Sequence, residues 1–236
     1  VVASGCVFNN YLDRDLDQIM VRTRNRPLAE GAISPRAALF YASSLGIAGM
    51  SLLLALANGL TAVVVLAGFT TYVGLYSLYL KRKTIHAALL GSLAGSAPPL
   101  AGYCAVTNHF DLGAILLVTI FSLWQMPHCY AISIYRREDY AAAAIPTLPE
   151  KYGVIAARRH IIGHILSLMA ATLMLTLSGY TGYTTLAVAT TLNLSWLYTA
   201  WRDYGQSEDR VWAKKLYVIS VLSIFVLTAM MSIDSA

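Results

Sequence analysis

Residues 37–80 read AALFYASSLGIAGMSLLLALANGLTAVVVLAGFTTYVGLYSLYL, without one Asp, Glu, Lys or Arg. Lys81-Arg82-Lys83 ends the run. A helix needs about 20 apolar residues to cross the hydrocarbon core of a membrane, so this stretch is long enough to cross twice. Asn58-Gly59, a turn signal, falls near its middle and divides it into two spans. In lipid every backbone N–H and C=O must be satisfied within the segment, which selects helix. The fold class is therefore all-α, a polytopic membrane helix bundle.

The pattern continues outward. Charge-free runs cover 84–110 and 161–201, the second divided at Gly179-Tyr180-Thr181-Gly182, and further spans are expected over about 112–135 and 216–233. Residues 136–159, with Pro146, Pro149 and Gly153, read as a loop holding at most a short helix, and 202–215 as a charged loop. The count is seven complete spans plus a truncated helix at the start, in one domain over 1–236. The chain opens inside an apolar helix without Met, and an N-terminal span is expected to precede it. With 57% hydrophobic and 12% charged residues, against about a quarter charged in soluble domains, a water-soluble fold is excluded. Cys6, Cys104 and Cys129 lie apart in apolar stretches, which argues against a disulfide framework or thiolate metal site. Gly46-xx-Gly49 and Gly91-xxx-Gly95 suit close helix packing.

All 17 Lys and Arg fall in four alternate loops, 14–36, 81–83, 136–159 and 202–215. The intervening links have none. By the positive-inside rule those four loops face the cytoplasm. The pI near 9.1 is thus a topological signal and does not imply nucleic acid. Ten of the 12 acids share that side, the exceptions being Asp111 and Asp234.

On that rim lies Cys6-Val7-Phe8-Asn9-Asn10-Tyr11-Leu12-Asp13-Arg14-Asp15-Leu16-Asp17. Asn9, Asp13 and Asp17, four residues apart, line one helix face, with Asp15 roughly opposite. Three readings compete. A solvated helix end needs no ligand. An EF-hand loop needs Gly and Glu where Gln18 and Arg24 stand, and fails. A Mg²⁺ site for a phosphorylated ligand fits, because Mg²⁺ takes one or two carboxylates and completes its shell with water and phosphate oxygens. Arg22, Arg24 and Arg26 follow directly, and guanidinium forks match phosphate oxygens; each is equally an ordinary positive-inside anchor. Glu138 and Asp139 end a span on the same surface and offer a further carboxylate.

Asn9-xxx-Asp13-xxx-Asp17 followed by Arg22-Thr23-Arg24-Asn25-Arg26-Pro27 resembles the first aspartate motif of the UbiA-type intramembrane prenyltransferases. Tyr79-Leu80-Lys81-Arg82-Lys83 resembles that family's Tyr/Lys-Arg element. Ser96-Ala97-Pro98-Pro99-Leu100-Ala101-Gly102-Tyr103, Trp124-Gln125-Met126-Pro127-His128 and Tyr135-Arg136-Arg137-Glu138-Asp139-Tyr140 are similar to its haem-farnesylating branch. Tyr135 stands where the family's second motif carries its first Asp, leaving Asp139 as the clear carboxylate there. The family fold has nine spans.

The resemblance implies transfer of a farnesyl group from farnesyl diphosphate to a vinyl group of haem B, giving haem O for haem–copper terminal oxidases. Haem A synthase or the oxidase assembly machinery are the protein partners so implied. It implies Mg²⁺ on Asn9, Asp13, Asp17 and Asp139, and Lys81, Arg22, Arg26, Arg82, Arg136 and Arg137 around the diphosphate. Tyr72, Tyr76, Tyr103 and Trp124 are candidates to face the allylic cation; aromatic side chains in spans also serve as packing or interfacial belts. His128, about 12 Å below Arg136 along its helix, is a haem ligand or proton carrier. His160 and His164, four apart at a span's end, read as interfacial; His86 and His109 carry little information. A quinone precursor as acceptor, or a haem-handling or transport protein, are the alternatives.

Overall fold

The structure is a computed structural model describing residues 1–202 and 208–234; it is helical, with no strand among the described residues. The chain divides into two compact units, Val1–Phe110 with Glu138–Thr147, and Asp111–Arg137 with Leu148–Ala236.

The first unit holds α1 (Val2–Leu12), α2 (Arg14–Ile19), α3 (Pro35–Leu56), α4 (Gly59–Thr70), α5 (Ala87–Gly95) and α6 (Ala97–Thr107). Its helix starts are written locally. Ser34 Oγ accepts from Ala37 N (3.2 Å), with Pro35 in the first turn, where a missing N–H is harmless. Asn58 Oδ1 accepts from Thr61 N (2.8 Å), so the expected turn is a helix cap. Its Nδ2 also donates to the Cys104 carbonyl (2.9 Å), pinning the start of α4 to α6. Beyond Thr70, α4 widens into a π-helix over Thr71–Leu80, a rare form frequent at functional sites. The span expected over 84–105 is two helices, parted at Ser96. Pro98 and Pro99 lie in the first turn of α6 and have no N–H to continue the ladder of α5. Ser4 Oγ donates to the Ala42 carbonyl (2.7 Å) between α1 and α3. A Cβ at Gly46 would lie 2.9 Å from that same Oγ, so the glycine permits the approach.

The second unit holds α7 (Leu112–Tyr135), α9 (Leu148–Leu177), α10 (Tyr183–Arg202) and α11 (Asp209–Ile233); α8 (Arg137–Ala142) begins at its edge. α7 packs on α9 and α11, and α10 on both of these. The loop expected through 159 gives way to helix from Leu148, bent at Gly153, whose φ of +82° interrupts the helical backbone. Of the loop expected over 202–215, residues 203–207 lie outside the described residues, and α11 starts at Asp209 rather than near 216. Arg158, buried, pairs with Asp209 (2.7 Å) and lies 4.3 Å over Trp212, which ties α9 to α11.

The two acids that depart from the charge segregation are helix caps. Asp111 Oδ1 accepts from Ala114 N (3.1 Å) at the start of α7. Asp234 Oδ2 accepts from Thr185 N (2.7 Å) and Thr185 Oγ1 (2.9 Å) at the start of α10. A carboxylate there satisfies orphan N–H groups and meets the positive end of the helix dipole.

Among the described residues, six helices are long and apolar enough to cross a membrane: Pro35–Leu56, Gly59–Leu80, Ala87–Thr107, Leu112–Tyr135, Leu148–Leu177 and Asp209–Ile233. The seventh expected span is α10, which has the length (20 residues) but is not among the six. Thr184, Thr185, Thr190, Thr191, Asn193 and Thr199 lower its hydropathy. Its buried face, Thr185, Ala189, Asn193, Trp196 and Ala200, follows helical spacing.

Candidate active site

The stripe Asn9–Asp13–Asp17 does not lie on one unbroken helix. α1 ends at Leu12, and Asp13 has φ −93° and ψ 3°, in the sparsely allowed bridge region. The four-residue ladder nevertheless crosses the break, with Asp13 N donating to Asn9 O (2.9 Å) and Asp17 N to Asp13 O (2.7 Å). Spacing is therefore preserved across the break.

Asp13 and Asp17 are 2% and 3% exposed. Buried carboxylates require partners, and each has a cation. Lys81 Nζ pairs with Asp13 Oδ2. Arg26 Nη1 reaches both oxygens of Asp17 at 3.1 and 2.8 Å. Asn9 Nδ2 donates to Asp13 Oδ2 (2.9 Å) and to Ser77 Oγ (3.0 Å). Asp13 Oδ1 is buried and has no hydrogen-bond partner. Leaving a charged acceptor unmet costs about 1–3 kcal/mol or more, so this oxygen marks a position for an electropositive ligand.

The segment after α2 delivers Arg26. Thr23, buried, donates through Oγ1 to the Asp17 carbonyl (3.3 Å), and Gln18 Nε2 donates to Ala29 O (2.9 Å). Leu16 and Met20 pack with Ala143 and Ile145, against which Tyr140 lies. Beside that apolar cluster, just after α2, Asp139 Oδ1 accepts from Val21 N (3.1 Å). Among the described residues no three His, Cys, Asp or Glu side chains are grouped so as to hold a metal ion, so Asp13 and Asp17 are not joined by Asp139 in one ligand set. The donor set is the open kind, few carboxylates with room for other oxygens, that suits Mg²⁺. Arg22 and Arg24 are exposed on the same segment.

Lys81 follows the π-helix, its N–H donating to Tyr76 O (2.9 Å), five residues back. Tyr72 and Tyr76 stack with centroids 5.8 Å apart, and Lys81 Nζ lies 6.0 Å from the Tyr76 ring. A Cβ at Gly91 would sit 3.2 Å from the Tyr76 ring, so Gly91 of α5 seats it. Arg82 does not point to open space. Its Nη1 and Nη2 each reach one oxygen of Asp15 at 2.7 Å, and Nη2 reaches the Leu12 carbonyl at 2.6 Å. This hydrogen bonding holds the Asp15 carboxyl down to about 2 and raises the Arg82 guanidinium further.

In the second unit Trp124 and His128 stack at 5.0 Å, and Tyr217 lies 5.2 Å from His128. Ser220 Oγ lies 2.6 Å from the Tyr217 carbonyl and 2.7 Å from His128 Nδ1. Trp124 Nε1 donates to Ser220 O (2.8 Å). Arg136 lies 4.6 Å over the Tyr135 ring, and Arg137 pairs with Glu150 (3.1 Å). His160 and His164 flank Tyr130, with centroids 5.9 and 6.0 Å from it. Tyr103 is half-buried on α6.

Sequence reasoning left out Ser77, Tyr217 and Ser220 and set Asp15 aside. The first three are neutral residues within spans, with no spacing signal of their own. The available hint for Asp15 was charge complementarity to the basic triplet at 81–83.

The UbiA prenyltransferase family profile matches residues 1–227. Protoheme IX farnesyltransferase of Pseudomonas savastanoi pv. phaseolicola is 56% identical over 234 residues, 99% of this chain and 79% of that protein. The fold is similar to a solved digeranylgeranylglyceryl phosphate synthase at TM-score 0.78 and 17% identity, over 98% of this chain and 80% of that one. It is also similar to a UbiA homologue from Archaeoglobus fulgidus bound to GPP and Mg²⁺, at TM-score 0.68 and 16% identity, over 98% and 83%. The chain, with its buried aspartates and all-helical membrane fold, belongs to the UbiA prenyltransferase family.

Proposed function

We propose that the chain transfers a farnesyl group from farnesyl diphosphate to the vinyl group of haem B, giving haem O. Support comes from the relative that shares 56% of its residues. The observation that carries the chemistry is the buried, unpartnered Asp13 Oδ1, set beside a second buried carboxylate and two cations.

Asn9, Asp13 and Asp17, without Asp139, are the residues that would hold Mg²⁺, whose bound form supplies Lewis-acid stabilisation of the leaving diphosphate. Lys81 and Arg26 stand ready to share their charge between the carboxylates and the phosphate oxygens, and exposed Arg22 adds a fork. Arg136 and Arg137 are assigned to substrate binding, as the motif in which they stand implies. The C1–O bond of farnesyl diphosphate breaks with its electron pair leaving on the diphosphate. The vinyl π electrons form the new C–C bond, and water captures the resulting cation and loses a proton. The stacked faces of Tyr72 and Tyr76 stabilise positive charge on the allyl group by about 0.5–2 kcal/mol each; Tyr103 and Trp124 are assigned the same role. His128, whose Nδ1 lies against Ser220 Oγ, is assigned to the haem iron or to the departing proton.

The chain acts as one domain in the bacterial inner membrane with its basic loops on the cytoplasmic side, and its product serves haem–copper oxidase maturation and haem A synthase. The test uses membranes carrying the protein, farnesyl diphosphate, haem B and Mg²⁺. Haem-dependent diphosphate release with a farnesylated haem product is expected. No release defeats the enzyme reading, and release with a phenolic acid in place of haem assigns a quinone precursor as acceptor.

A further inference from the structure

Arg82 makes three contacts, and all three lie on the two sides of one backbone break. Leu12 is the last residue of α1, and its carbonyl is among those a helix end leaves without a continuing partner. Asp15 lies in the first turn of α2. Between them sits Asp13, the only residue separating the two helices. One guanidinium therefore reaches the carbonyl before Asp13 and both carboxylate oxygens after it, while the neighbouring Lys81 holds the Asp13 side chain itself.

We infer that Arg82 and Asp15 form a strap that sets the helix break at Asp13: they are positioning residues for the buried carboxylate, and Arg82 is not a ligand of the diphosphate. This rests on the prenyltransferase reading only for its kinetic test. An isolated exposed ion pair contributes little. Here the fork is bidentate, and a third bond meets an otherwise orphaned carbonyl. A guanidinium so engaged has lost the in-plane fork that a phosphate would need.

The strap and the ligand roles give opposite results in Asp15→Asn. If Arg82 holds the helix break, releasing it loosens Asp13; if Arg82 binds diphosphate, releasing it leaves affinity for farnesyl diphosphate unchanged or improved. Full-length protein in detergent is titrated with Mn²⁺ by electron paramagnetic resonance, and diphosphate release is measured against Mg²⁺ concentration. Asp15→Asn and Arg82→Gln are each expected to weaken Mn²⁺ binding and raise the Mg²⁺ requirement about tenfold, the scale of one lost charge-assisted hydrogen bond. The double variant is expected to be no worse than the poorer single. Asp15→Glu, which keeps the carboxylate, is expected to retain most Mn²⁺ affinity, and it carries the test if Arg82→Gln does not insert. Unchanged Mn²⁺ affinity in Asp15→Asn, a lower KM for farnesyl diphosphate there, additive losses in the double variant, or equal loss in Asp15→Glu and Asp15→Asn would each overturn the strap. Wild-type protein that binds Mn²⁺ but releases no diphosphate would defeat the functional reading and leave the Mn²⁺ comparison intact.

Discussion

Asp13 is the residue on which the site turns. It is the point where α1 stops, the partner of Lys81, and the owner of a buried oxygen with nothing to bond. Replacing it by Ala removes that oxygen and leaves Lys81, 18% exposed at its side chain, without its counter-charge. Breaking a buried pair in this way costs about 3 kcal/mol, so Asp13→Ala is expected to melt at lower temperature while still inserting. Turnover is expected to fall by about a hundredfold or more, the scale of one lost electrostatic contact in a transition state. Single-turnover diphosphate release checks this, and near-wild-type rates would remove Asp13 from the site. The Asn9–Asp13–Asp17 stripe was legible in the sequence because helical spacing is a local property. The contacts of Asn9 with Ser77 and of Arg82 with Asp15, 68 and 67 positions apart, were not, since nothing local encodes which distant helix comes alongside.

At the scale of elements, the placement of α1 decides where the stripe goes. α1 lies on α3 through Ser4, whose Oγ bonds Ala42 O and stands 2.9 Å from where a Gly46 side chain would begin. Gly46→Leu is expected to push α1 off α3, break that buried bond and destabilise the protein by about 1–3 kcal/mol. Because α1 carries Asn9, activity should fall with it. Thermal aggregation in detergent checks the first effect; an unaltered transition would show that the two helices are not tightly apposed. The small-residue pattern announced this packing. The π-helix over 71–80 had no such announcement, because TYVGLYSLYL reads equally well as an ordinary apolar helix. Within it the Tyr72 and Tyr76 rings stack, with Gly5 against Tyr72 and Gly91 against Tyr76. The break at Ser96 was readable in Pro98-Pro99, whose missing N–H groups cannot continue α5.

For the whole molecule, the segregation of all 17 basic residues into alternate loops makes a prediction about sidedness. In a variant lacking the three native cysteines, Asn108→Cys is expected to react with an impermeant thiol reagent in intact cells, and Lys83→Cys only after permeabilisation. Labelling of both from one side would refute the topology. Composition, charge-free runs and the spacing of turn residues were enough to determine a helical membrane protein and most of its spans, though helix runs from Leu148 and from Asp209 where loops were expected and α10 is not among the six apolar spans. They could do so because hydrophobic length and helical period are properties of neighbours in the chain. Tertiary structure alone decided that the helix is interrupted at Asp13, that Asp139 reaches Val21 just after α2 beside an apolar cluster, and that Asp111 and Asp234 cap helices. It also decided that Arg82 is held by Asp15. Each of these depends on which buried surfaces meet, and a buried polar group takes whichever partner packing brings within reach.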